Sequence, residues 1–388
     1  MANSKLNLLK ESGAGKLYES NGFLVPVLTG SPKEMGAQYG ALIGEHMQKA
    51  YDLLIKPGRD KGRITDEDAR AWTERVYTTG SIRYRAFYDG LVESTGWPLE
   101  KVGMLDNLME FGIYQSKMFD SFAGCTSILS WGGHSADSGM YIGRNEDWSE
   151  TFAKLPQVLT VRRPTDGSYK YATMGWPGMV FPLTALNERG AYMDLHDGTS
   201  MGGSVVCYDR VPTTSLLSDL MAESPSLSAM VHRFNTYAMS VSAIYTLADE
   251  KSAAAAECSS LAGTRVRNPE GESMVVVNTF LDDSWSIGKR DSVTHSWSAR
   301  LPNMTNRLAE NKGKVDAKLT RDLMDLKLYD ADGKVNVNGG CTKPINQDED
   351  ITVHQVVTDV KRREMWLKRP NPDVFADWTH FDLKELWG

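Results

Sequence analysis

In the stretch DSFAGCTSILS, residues 120–130, the hydrophobic period of the chain changes from that of a helix to that of a strand, with a Gly-Cys pair at the junction. Upstream, Ser31-Pro32-Lys33-Glu34 combines an N-cap serine, a proline at the first helical position and a glutamate three residues on. Behind it Met35, Tyr39, Leu42, Ile43, Met47, Tyr51 and Leu54 recur at spacings of three and four, which predicts one amphipathic helix ended by Pro57-Gly58. Two further helical stretches are expected over 66–95 and 99–118, so the first third reads as mostly α. Downstream, alternating runs at 125–131 and 140–145 flank Asp137-Ser138-Gly139, and runs at 158–163 and 169–174 flank Asp166-Gly167, both hairpin signals. Further strands are expected at 191–195, 274–280, 352–358 and 364–368, with helices over 213–222, 226–239, 300–310 and 319–326. Hairpins separated by helix pairs predict an α+β fold, antiparallel sheet covered by helices, and not a βαβ series.

Composition narrows the partners. The net charge of -7 arises from 50 acidic and 43 basic residues without a long like-charge block, so no nucleic-acid partner is expected. The N-terminal MANSKLNLLKESG has no apolar core of a secretion signal, and no run approaches a membrane span; a cytoplasmic location and no membrane partner are expected. Cys125, Cys207, Cys258 and Cys341 form no CxxC pair and the seven histidines are scattered, which predicts neither a metal site nor a disulfide framework. DADGK at 330–334 lacks the acidic positions of a calcium loop and reads as a hairpin turn. KRRE at 361–364 reads as a solvated turn.

The Gly124-Cys125 pair admits two readings. A free cysteine is commonly a small buried hydrophobe; at the head of a strand and directly after glycine it is also placed to be a nucleophile. In GRNEDW, residues 143–148, Arg144 and Asp147 stand three apart, so on a flat strand they face opposite sides and act together only across a turn or bulge.

Six segments in order, GSPKEMGAQYG (30–40), GCTS (124–127), GRNEDW (143–148), ALNERG (185–190), VVNTF (276–280) and SWSARL (296–301), resemble the cysteine N-terminal-nucleophile hydrolases of the isopenicillin N acyltransferase type, peptidase C45-like. More distantly they are similar to choloylglycine hydrolases and acid ceramidases. The resemblance spans about residues 20–370. It implies a single 1–388 domain with a four-layer αββα sandwich, and self-cleavage between Gly124 and Cys125 into a helical chain (1–124) and a nucleophile chain (125–388). Glycine before the nucleophile tolerates the strained approach of thiol to carbonyl. The α-amine so freed, with an unperturbed pKa of ~7.7–8.0, is suited to take the thiol proton.

Carried over by motif, Asp147 matches the aspartate beside the nucleophile, and Arg144 the arginine that favours thiolate. Asn278 matches the asparagine whose amide completes an oxyanion hole, and Arg300 an arginine offered to substrate or oxyanion. Two departures from the family pattern stand out: Thr279 replaces a histidine, and His196-Asp197 stand where relatives carry an asparagine, so either could serve the oxyanion or the substrate. Asn187 reads as turn chemistry. The resemblance implies a small-molecule amide substrate, no cofactor, and amide hydrolysis through a thioester or acyl transfer to an amine; the oligomeric state stays open. Two other readings remain: a serine hydrolase using Ser200 in Gly198-Thr199-Ser200-Met201-Gly202, which lacks the helix that should follow, and a non-catalytic binding protein of the same fold.

Overall fold

A computed structural model describes residues 5–115, 124–285, 297–344, 350–370 and 377–388. Three strands without a sequence signal come first: Asn7–Ser12 (β1), Gly15–Ser20 (β2) and Phe23–Gly30 (β3). β1 is exposed along nearly its whole length, so no buried face imposes alternation on it. The helix Pro32–Leu54 (α1) carries both halves of its capping box: Glu34 N–H donates to Ser31 Oγ at 3.3 Å and Ser31 N–H to Glu34 Oε2 at 2.7 Å. After Lys56–Asp60 (α2), the expected 66–95 helix is two, Asp66–Thr79 (α3) and Ile82–Thr95 (α4), because Ser81 caps a new start by accepting from Tyr84 N–H at 3.2 Å. Leu99–Asp106 (α5) and Leu108–Gln115 (α6) follow, and the rest of the expected 99–118 helix lies outside the described residues.

The strand-rich part begins with the hairpin Gly124–Gly132 (β4) and Ser138–Trp148 (β5). Glu150–Ala153 (α7) leads to Gln157–Pro164 (β6), Tyr171–Gly175 (β7), Thr184–Asn187 (β8) and Tyr192–Asp197 (β9). Next come Thr199–Gly202 (α8), Thr213–Glu223 (α9) and Leu227–Thr236 (α10). Three strands with no clear alternation follow, Ala243–Ala248 (β10), Ala253–Ser259 (β11) and Gly263–Arg267 (β12), then Ser273–Val277 (β13). Trp297–Glu310 (α11), Ala317–Met324 (α12), Ile351–Asp359 (β14), Glu364–Lys368 (β15), Thr379–Asp382 (β16) and Leu383–Trp387 (α13) complete the chain.

The strands form two sheets, in spatial order β1-β2-β3-β6-β7-β8-β9-β10-β11-β12 and β13-β4-β5-β14-β15-β16. Pairing is antiparallel as expected, except that β3 and β6 run parallel. Val25, Leu129, Ile142, Val161, Met174 and Val356 fill the space between the sheets. Tyr39, Ile43, Trp72 and Tyr88 of the N-terminal helices pack with Leu24, Val158 and Tyr171 of the ten-stranded sheet. Met304, Leu323 and Met324 of α11 and α12 pack with Ile128, Val275 and Val357 of the six-stranded one. The result is a four-layer αββα sandwich, as expected. α1 and α4 meet at glycines: a Cβ on Gly36 would overlap the Phe87 carbonyl, and one on Gly90 the Lys33 carbonyl. DADGK is a turn, closed by Asp330 N–H donating to the Lys334 carbonyl at 2.9 Å. The 361–364 segment is only partly solvated, since Arg363 is buried and paired with Glu250 at 2.8 Å.

Candidate active site

β4 runs between β13 and β5, with Gly124 opposite Asp147, Cys125 opposite Glu146 and Thr126 opposite Val277. Since β13 ends at Val277, the next residue, Asn278, falls beside Cys125. The buried Cys125 side chain faces β9, with Sγ 3.7 Å from the Leu195 carbonyl oxygen. Arg144 Nη2 donates to Cys125 Sγ at 3.4 Å and also to Leu195 O, while Nη1 donates to Leu183 O at 3.2 Å and to Thr184 Oγ1. Behind Arg144, Glu146 Oε2 lies 3.3 Å from Nη2 and 3.1 Å from His354 Nε2. Burial pushes the Cys125 thiol up to about 12; Arg144 pulls against this and Glu146 adds to it. Burial also opposes ionisation of Glu146, but Arg144 and His354 outweigh it and hold the carboxyl below its ordinary range. Among its groups the site therefore holds a protonated thiol beside a permanent cation.

Arg144 and Asp147 do lie on opposite sides of the sheet, and no turn or bulge interrupts the β4–β5 register between Gly124 and Ser130. They attend successive residues instead. Arg144 reaches Cys125 Sγ from the inter-sheet face. On the other face, Asp147 Oδ1 accepts from Thr352 Oγ1 at 2.6 Å, and Oδ2 lies 3.9 Å from Lys343 Nζ. Lys343 N–H in turn donates to Thr352 Oγ1 at 2.8 Å. A bulge in the neighbouring β14, between Thr352 and His354, lets Thr352 serve Asp147 while His354 serves Glu146.

Asn278 Oδ1 accepts from Cys125 N–H at 2.7 Å and from Arg300 Nη2 at 3.1 Å, and its Nδ2 donates to the Asp197 carbonyl at 3.0 Å. Its amide carbonyl, not its NH2 group, thus faces the nucleophile residue. Arg300, offered by the resemblance to substrate or oxyanion, is buried in the first turns of α11. Its Nη1 donates to the Cys125 carbonyl and, at 2.6 Å, to Thr126 Oγ1. It holds the nucleophile strand from behind.

His196 and Asp197 separate. The His196 ring is buried between the sheets, with Nε2 2.7 Å from Asp194 Oδ1 and 3.0 Å from Thr246 Oγ1, and burial keeps its pKa below the usual imidazole value. Burial opposes ionisation of Asp194 too, but His196 and Arg144 hold its pKa at about 2, and Ser127 Oγ and Tyr192 OH both donate to it at 2.8 Å. Asp197 contributes its backbone carbonyl to Asn278; its carboxyl accepts from Thr199 N–H at 2.9 Å and is raised to about 6 by burial, with Asp350 adding to the rise. Asn187 makes a turn, accepting from Arg189 N–H and Ala191 N–H at 3.0 Å each. Ser200 is exposed on the four-residue α8, with no elbow helix behind it.

Glu146, Ser127, Asp194, His354, Thr352 and Lys343 also belong to this constellation and were not singled out from sequence. The first two were visible by strand alternation, each two residues from a candidate; the others are brought in from β9, from β14 and, for Lys343, from the approach to β14. Among the described residues no group of three or more His, Cys, Asp or Glu could hold a metal ion, and no helix is long and apolar enough to cross a membrane.

No family model matches the chain, and no curated protein matches it. Among solved structures it is similar to the C2A mutant of conjugated bile acid hydrolase from Clostridium perfringens (10% identity, TM-score 0.46, covering 68% of this chain and 94% of that one). It is also similar to an N-acylethanolamine-hydrolyzing acid amidase ortholog from Caenorhabditis elegans (16%, TM-score 0.43, 61% and 93%). A third is penicillin V acylase from Agrobacterium tumefaciens (10%, TM-score 0.41, 67% and 87%).

Proposed function

We propose that the chain is a self-processing cysteine amidohydrolase that cleaves a linear amide through a thioester on Cys125. One observation carries this reading: at the head of β4 a single residue presents its Sγ to a guanidinium at 3.4 Å and its N–H to a fixed amide oxygen at 2.7 Å. A buried structural cysteine needs neither. In self-processing, Sγ adds to the Gly124 carbonyl carbon, the Gly124–Cys125 C–N bond breaks with the thiol proton passing to nitrogen, and water hydrolyses the thioester to a Gly124 carboxylate. The freed α-amine stays where Asn278 Oδ1 holds it, next to Gly124, the residue that Asp147 faces across the hairpin. In turnover that amine takes the thiol proton and gives it to the substrate's amine as Sγ displaces it, and water then hydrolyses the thioester to the carboxylic acid and returns the thiol. Arg144 opposes the burial that keeps the thiol protonated.

Intact mass and denaturing electrophoresis test the reading: the purified protein should give fragments 1–124 and 125–388, and Cys125→Ala one chain. An enzyme that hydrolyses amides as one uncut chain, or whose turnover survives Cys125→Ala, overturns it.

A further inference from the structure

The site also specifies what the acyl part of the substrate carries on its α-carbon, an inference that rests on the amidohydrolase reading above. In self-processing, Gly124 is the acyl group, and its carbonyl carbon and Cα occupy the places that the carbonyl and α-carbons of any later substrate must take to meet the same Sγ. A substituent in the place of a Cβ on Gly124 would stand 3.2 Å from Asp147 Oδ2, 3.2 Å from Asp147 Cβ and 3.5 Å from Lys343 Nζ. A methyl group there is crowded against a carboxylate. A hydroxyl is not: after a shift of a few tenths of an ångström its proton reaches Asp147 and its lone pair faces the ammonium of Lys343.

Two further facts point the same way. Asp147 is fully buried and, among the described residues, its Oδ2 accepts no hydrogen bond, although Oδ1 is bound by Thr352. A carboxylate oxygen has two lone pairs, so Oδ2 can serve both the α-amine and a substrate hydroxyl. Lys343 is buried, its backbone N–H donates to the same Thr352, and its Nζ lies 3.5 Å from the Cβ position of Gly124, on the acyl side of the scissile bond. Arg144 and Arg300 aim their Nη atoms at Cys125, Thr126, Leu183, Thr184, Leu195 and Asn278. We propose that Lys343 and Asp147 form an α-substituent subsite, and that the substrate is a 2-hydroxyacyl amide. With the rest of the acyl chain in the place of the Gly124 backbone nitrogen, a hydroxyl in the Cβ position corresponds to the (R) configuration.

The processed enzyme should be assayed on the 4-nitroanilides of butanoic acid and of (R)- and (S)-2-hydroxybutanoic acid. The (R)-hydroxy compound should exceed both others in kcat/KM by on the order of 10 to 100-fold, the scale of a charge-assisted hydrogen bond. In Lys343→Met the (R)-hydroxy over butanoyl ratio should collapse towards one, and Lys343→Arg should recover part of it. Equal rates for the three anilides on wild type, or an unchanged ratio in Lys343→Met, overturn the subsite while thiol-dependent turnover stands. Turnover that persists in Cys125→Ala, or no turnover of any anilide by a chain that remains uncut, overturns the amidohydrolase reading and the subsite with it. If Lys343→Met does not accumulate as folded protein, the wild-type comparison of the two enantiomers decides alone.

Discussion

At Arg300 three hydrogen bonds converge on one side chain, to the Cys125 carbonyl, Thr126 Oγ1 and Asn278 Oδ1, all of them on the residues that frame the thiol. Removing the guanidinium takes a charged donor from each of these buried acceptors, a loss of about 1.5–3 kcal/mol for each charged hydrogen bond, although Asn278 Oδ1 keeps the Cys125 N–H. Arg300→Gln should therefore lower kcat on anionic and neutral amides alike, and slow cutting of the chain as well. A loss confined to anionic substrates, measured as kcat/KM across a matched pair, would instead make Arg300 a recognition residue. Gly124 is tested on the same scale. Gly124→Ala brings a Cβ to 3.2 Å from Asp147 and should slow self-cleavage, by about tenfold for a crowding cost of about 1.4 kcal/mol, followed as the uncut fraction on gels with time.

Among the elements, the contact of α1 with α4 leaves the least room for change, since Gly36 and Gly90 let each helix touch the other's backbone. Gly90→Ala should cost roughly 1–3 kcal/mol in urea unfolding, because the added methyl meets a carbonyl and not a pliable side chain. A change within a few tenths of a kcal/mol would show that the helices slide apart freely. α1 itself was legible because Ser31, Pro32 and Glu34 agree with its apolar stripe. β15 was legible to the residue. β11 was not: AAAAECS favours helix by propensity, and only burial between its neighbours β10 and β12 makes it a strand. Cys125, Arg144 and Asp147 were legible as a group because they lie on one hairpin, whereas Asp194, His354 and Lys343 reach the site through long-range pairing that no local pattern encodes.

For the molecule as a whole, the buried ionic layer between the sheets sets the response to acid. Asp194 has a folded pKa of about 2 against an ordinary 3.8, so the stability it contributes is present above about pH 4 and is lost as pH falls towards 2. His196 acts in the same direction, since a depressed imidazole is protonated first in the unfolded chain. Urea midpoints should fall steeply below pH 4, and Asp194→Asn should flatten that limb while lowering stability at pH 7; an unchanged limb would place the acid sensitivity elsewhere. The parallel pairing of β3 with β6 bears on a different matter, the independence of the two halves. β3 lies on the amino-terminal side of residue 124 and β6 beyond it, yet they are adjacent strands of one sheet, with α1 and α4 laid across its outer face. A break before Cys125 is thus a nick within one hydrogen-bonded lattice, not a hinge between modules: fragments 1–124 and 125–388 should copurify on a single affinity tag, stay together on dilution and melt in one transition, and neither should fold when expressed without the other.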